Sequence, residues 1–151
     1  MPMSAARAIS AKSSSYAGDV APEAAFAALV SDISAQLVDV RTAPEWALVG
    51  RPELASIGKA VHCISWKLYP AYDLNPQFIA QLEAAIPDRH TPIYFLCKTG
   101  GRSLDAAIAA TAAGYTTCYN IAGGMEGDMN ALRQRGQMTG WKAAKLPWEQ
   151  A

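Results

Sequence analysis

The chain lacks an excess of charge of either sign: over 151 residues, Lys plus Arg and Asp plus Glu number 13 each. A neutral chain casts no long-range field toward polyanions, which argues against nucleic acid or an acidic membrane surface as partner. It also lacks an uncharged apolar run of about 18 residues, the length a membrane span needs, although 51% of its residues are hydrophobic. Cysteine is scarce. The three, at 63, 97 and 118, form no CxxC pair and no zinc-ribbon spacing. Structural disulfides come in even frameworks in oxidising compartments, so these read as reduced thiols and the chain as cytoplasmic. The two histidines, His62 and His90, stand in no ligand spacing with cysteine. No metal site is expected, and each histidine reads as a core or surface residue.

Residues 1–17 lack acids and lack the apolar core of a secretory signal. With Arg7, Lys12 and several serines, they have a composition shared with organelle transit peptides, but a flexible N-terminal tail is the plainer reading. Residues 18–151 then form a single domain. A chain of this length buries roughly 68–70% of its unfolded surface, so its core needs no disulfide or metal.

What is present is an alternation of helices and strands. Pro22 sits at a first helical position, and Phe26, Leu29 and Val30 repeat along the helix that follows. Leu37 to Val40 is a short apolar strand, Pro44 to Leu48 a short helix stopped by Gly50, and Val61 to Ile64 a second strand. Asn75-Pro76 reads as a cap and first-turn proline, with Phe78, Ile79, Leu82 and Ile86 at helical spacing and Pro87 as the end. Ile93 to Leu96 is apolar at every position, as parallel strands covered on both faces are. Ser103 to Ala113 is an alanine-rich helix stopped by Gly114, and Thr116 to Ile121 is a last strand. The order predicts an α/β fold with a mainly parallel central sheet between helices.

Chemistry gathers in Leu96-Cys97-Lys98-Thr99-Gly100-Gly101-Arg102-Ser103. This loop joins a buried strand to a helix, which places Cys97 at the carboxyl end of the strand, where open α/β sheets bind ligands. Gly100 and Gly101 permit a tight curl that aims N–H groups at one spot, and the helix start adds its positive end. Lys98 and Arg102 add two cations. An ordinary cysteine thiol is only about 3% ionised at pH 7. A helix N-terminus and cations favour the thiolate, so Cys97 is expected to act as a nucleophile without a histidine base. Cys63 and Cys118 read as small buried hydrophobes.

These residues resemble the rhodanese family, whose loop pattern of Cys, two residues, Gly, one residue, Arg, then Ser or Thr fits Cys97 to Ser103 at every position. Leu37-Val38-Asp39-Val40-Arg41 is similar to the family's first signature, and Glu45 and Trp46 to the acid and aromatic of the short helix after it. Tyr119 to Gly124 resembles the last strand with its glycine turn, and Gly140 to Trp148 the closing segment of bacterial members. The segment 50–75 departs from the pattern: it is longer and more aromatic than usual, with Trp66 and Tyr69, and by analogy lies beside the site and sets the acceptor. Trp46, Trp141 and Trp148 read as core or terminal anchors. Asp39 and Arg41 read as a charged tie across the active-site edge.

The resemblance implies a rhodanese-like three-layer α/β/α fold and a sulfurtransferase that moves sulfane sulfur through a Cys97 persulfide. Thiosulfate or a related donor loads the cysteine, and cyanide or a thiol unloads it. Lys98 and Arg102 would bind the donor's anion, the amides of Lys98, Thr99, Gly100 and Gly101 would hold the persulfide, and Ser103 would orient the loop or donate a hydrogen bond. No cofactor is implied. The partners would be small-molecule donors and acceptors, or a protein acceptor served by a carrier or regulatory module. Phosphatases and arsenate reductases share the fold, but they place five residues between cysteine and arginine and a histidine before the cysteine. Here four residues, Lys98 to Gly101, intervene and Leu96 precedes Cys97.

Overall fold

Strand Ile93–Leu96 is buried at all four positions, and its side chains divide between two hydrophobic clusters. A computed structural model describes residues 15–150 and shows why both faces are covered. In chain order the elements are β1 (Gly18–Val20), α1 (Pro22–Ser31), β2 (Gln36–Asp39), α2 (Ala43–Leu48), β3 (Arg51–Pro52), a 3-10 turn (Ala55–Ile57) and β4 (His62–Cys63). There follow β5 (Lys67–Leu68), β6 (Asp73–Leu74), α3 (Phe78–Ala85), β7 (Ile93–Leu96), α4 (Gly101–Ala112), β8 (Cys118–Ile121) and β9 (Trp148–Glu149). The five-stranded central sheet runs β1-β8-β7-β2-β4, every pairing parallel.

Strand side chains alternate across the sheet, so Ile93 and Phe95 join the cluster built by Phe78 and Leu82 of α3 and Ala106, Ala107 and Ala110 of α4. Tyr94 and Leu96 join the opposite cluster with Ala25 and Leu29 of α1, Met125 and Trp141. The result is the expected three-layer α/β/α arrangement. Trp141 is fully buried, packs edge-on against Phe26 with ring centroids 5.8 Å apart, and donates its indole N–H to the Pro147 carbonyl at 2.7 Å. That bond brings the C-terminal end back to pair β9 antiparallel with β3.

Several expectations shift. The helix expected from Pro76 starts at Phe78, because the Asn75 side chain accepts the N–H of Gln77 and holds a turn there first. The strand around Val61 narrows to His62–Cys63. The expected tail, residues 1–17, lies mostly outside the described residues. Tyr16 does not: it is buried in the core, and its hydroxyl reaches Asp19 at 2.8 Å. The segment 50–75 folds β5 and β6 into an antiparallel hairpin, with Tyr69 and Tyr72 exposed near its tip and Trp66 packed edge-on against Phe78. Among the described residues no helix is long and apolar enough to cross a membrane.

Candidate active site

The carboxyl ends of β2, β7 and β8 share one edge of the sheet, and three segments meet there. Asp39 ends β2 and Arg41 follows two residues on, both fully buried. Arg41 donates Nε and Nη2 to the Asp39 carboxylate at 3.0 and 2.7 Å and Nη2 to the Gly50 carbonyl at 2.7 Å. The charged tie expected across this edge is therefore formed. Burial opposes the charge on Arg41, but the adjacent Asp39 carboxylate more than offsets it and raises the guanidinium's pKa.

Cys97 follows β7 directly and is 1% exposed. Gly100, at φ +116°, turns the chain into α4 and delivers its N–H to Cys97 Sγ at 3.1 Å. The glycine turn after β8 supports the loop from beneath. Met125 donates to the Cys97 carbonyl at 2.8 Å, and Glu126 and Gly127 donate to that of Lys98 at 2.9 and 3.3 Å. These bonds demand close approach: a Cβ on Gly124 would stand 2.4 Å from the Cys97 oxygen. Gly100 is the loop amide that reaches sulfur. Thr99 and Gly101 are exposed, and Thr99 borders a cavity of about 460 Å³ with Glu23, Asp128 and Met138. Lys98 is half-buried and makes no ion pair among the described residues.

Arg102 has a carboxylate partner that the sequence did not reveal. Both terminal nitrogens bind Glu45 of α2, at 2.8 and 2.9 Å, and tie the loop to α2. Glu45 also accepts from the backbone N–H and hydroxyl of Thr42 at 3.1 and 2.9 Å. Burial pushes its carboxyl up, but Arg102 and Thr42 together hold it down at about 2.

Ser103, fully buried, places Oγ 3.1 Å from Cys97 Sγ and 2.6 Å from Asn120 Oδ1. Asn120 reaches Asp19 in turn, at 3.1 Å. Asn120, Asp19 and Tyr16 were not foreseen as part of the site. The available signal was a buried polar residue, Asn120, inside the apolar strand Cys118–Ile121. Cys118 is buried as expected, whereas Cys63 is only partly buried; desolvation pushes both thiols up to about 11. Among the described residues, no three His, Cys, Asp or Glu side chains converge in a metal-binding group.

Residues 17–151 match the family model described as the STR4 middle domain. The chain belongs to this rhodanese-like family. The crystal structure of Rv0390 from M. tuberculosis matches with a TM-score of 0.82 at 43% identity, covering 90% of this chain and 99% of that one. An uncharacterized protein of Rickettsia conorii is 40% identical over 125 residues, 83% of this chain and 91% of its own. The Rhodanese-like domain-containing protein 4 of Arabidopsis chloroplasts is 31% identical over 82% of this chain, which spans 24% of that longer protein. At 21% identity the polysulfide-sulfur transferase homodimer of Wolinella succinogenes shares the fold, with a TM-score of 0.63 over 93% of this chain and 85% of that one.

Proposed function

We propose that this rhodanese-like domain is a sulfurtransferase whose Cys97 carries sulfur as a persulfide, with thiosulfate or a similar donor. In the first half-reaction the Cys97 thiolate attacks the outer sulfur of thiosulfate. The sulfur–sulfur bond of the donor breaks, sulfite leaves with the electron pair, and Cys97–S–S⁻ remains. In the second, cyanide or a thiolate attacks the outer sulfur, the new disulfide breaks, and the Cys97 thiolate is returned. Gly100 N–H donates to Sγ, and Lys98 is the loop cation left to receive a dianion. A nucleophile only 1% exposed favours a donor whose reacting sulfur is terminal and slim, as that of thiosulfate is.

The short loop separates this reading from oxyanion chemistry: four residues, Lys98 to Gly101, stand between Cys97 and Arg102, Leu96 precedes Cys97, and the loop's Gly100 N–H is bonded to Sγ itself. Persulfide chemistry needs the thiol, the amide and a tight loop. The test is incubation with thiosulfate and cyanide. Thiocyanate forms with the wild type and not with Cys97→Ser, while p-nitrophenyl phosphate is left intact by both. Thiocyanate production by Cys97→Ser at the wild-type rate, or Cys97-dependent phosphate release, would overturn the assignment.

A protein acceptor is a second reading, supported by the β5–β6 hairpin. It holds Leu68, Tyr69, Tyr72 and Leu74 in solvent, and Tyr72 lies close enough to Arg102 to interact with it electrostatically. An apolar rim beside the site suits a protein surface better than cyanide.

A further inference from the structure

Ser103 has one hydroxyl proton and two acceptors within reach. Its Oγ lies 3.1 Å from Cys97 Sγ and 2.6 Å from Asn120 Oδ1, and all three side chains are buried. The contest is settled further out. An ionised carboxylate only accepts hydrogen bonds, so the amide nitrogen of Asn120 faces Asp19, 3.1 Å from Oδ1, and the amide oxygen faces Ser103. Tyr16 donates to the same carboxylate oxygen at 2.8 Å. The chain of donors then runs one way: thiol to Ser103, Ser103 to Asn120, Asn120 to Asp19.

We infer that Asn120, anchored by Asp19, is a positioning residue that keeps the Ser103 hydroxyl proton turned away from Cys97. The serine therefore accepts from the thiol and withholds a donor from the thiolate. This deepens the sulfurtransferase reading and rests on it in taking Cys97 as the nucleophile. When the thiol ionises, its proton passes to solvent or to an added base. Ser103 then faces the charged sulfur with a lone pair unless it abandons Asn120. Turning would strand the buried amide oxygen of Asn120, a cost that offsets what a hydrogen bond to a charged sulfur returns. Loading moves the charge one sulfur outward, so the arrangement restrains the empty thiol and leaves the persulfide free to react. Among the described residues, the other charged or titratable groups on elements packed about Cys97 include Lys98 in its own loop, Arg102 of α4 with Glu45 of α2, Glu126 of the turn after β8, Asp39 and Arg41 at the end of β2, and Tyr72 of the hairpin beyond Arg102. The variants below leave all of these in place.

The test is the pH dependence of Cys97 alkylation by iodoacetamide, read by peptide mass so that Cys63 and Cys118 do not contribute. Asn120→Ala frees the hydroxyl to turn toward sulfur and moves the midpoint of the profile down by about one pH unit, ~tenfold faster alkylation on its acidic side. Adding Ser103→Ala cancels that shift. At the exposed position 19, Asp19→Ala releases the amide and lowers the midpoint in the same direction. Adding Ser103→Ala to Asp19→Ala cancels that shift too, which loss of the carboxylate's charge alone would not do. The position-19 variants carry the test even if Asn120→Ala fails to fold. A shift that survives Ser103→Ala beside Asn120→Ala would assign the effect to another group, and one that survives it beside Asp19→Ala would assign it to charge. Either result, or no shift at all in Asp19→Ala, overturns the inference. Alkylation needs no sulfur donor, so its failure leaves the sulfurtransferase reading intact, and an absence of thiocyanate leaves the alkylation profile to stand alone.

Discussion

Glu45 binds four donors, two from Thr42 and two from Arg102. It thereby fixes both the start of α2 and the position of the loop arginine. Its folded pKa of about 2, against an ordinary 4.5, has a definite consequence for stability. A carboxylate whose folded pKa is depressed contributes stability in full above its unfolded pKa, and that contribution disappears as pH falls through the folded value. The wild type should therefore lose stability between about pH 5 and pH 2 by an increment that Glu45→Gln lacks. Urea midpoints measured across that range check this, and parallel curves for the two proteins would contradict it. The same pairing explains why the role of Arg102 was hard to read. Sequence places the arginine in the loop, but a partner 57 residues away is set by tertiary packing. Asn120 was missed for a related reason: a polar residue in an apolar strand reads as an imperfection until its hydrogen bonds are known.

Elements with a strong local pattern were legible. The run Ile93–Leu96, the alanine-rich α4 and the proline-led α1 each appear within a residue or two of their expected bounds, because period and caps dictate them. The weakly patterned elements were not. β1 is a three-residue strand whose only apolar side chain is Val20, and it exists because β8 offers it a parallel edge. The β5–β6 hairpin and the β3–β9 pair have two-residue strands, too short to show any alternation. The glycine turn after β8 was legible as a motif, but its purpose was not: it packs beneath the Cys97 loop. Gly124→Ala tests that contact. Its new Cβ would lie 2.4 Å from the Cys97 carbonyl and 2.7 Å from that of Lys98, at a φ of +59°. Overpacking of this kind costs about 1–3 kcal/mol. Because the displaced atoms carry the nucleophile, thiocyanate formation at a temperature where the variant remains folded should fall at least tenfold. Unchanged turnover would show that the loop does not depend on this turn.

At the scale of the whole molecule, an all-parallel sheet puts every strand's carboxyl end on one side, and helices on both faces leave that side open. The chain concentrates its buried charge there, with Asp39 at the end of β2 and Arg41 just beyond it, and it sets a nearly enclosed thiol at the end of the neighbouring strand β7. Class, layer order and the position of Cys97 followed from sequence because alternation of elements leaves few topologies. Donor and acceptor do not follow from topology, since they depend on what approaches the open edge. The central claim is that Cys97 accepts one sulfur atom, and the intact mass of the reduced protein after incubation with thiosulfate tests it most directly. The wild type should gain the mass of a single sulfur, lost again on adding cyanide or a thiol, while Cys97→Ser gains none. A wild type that gains no mass, or a variant that gains as much, would contradict it.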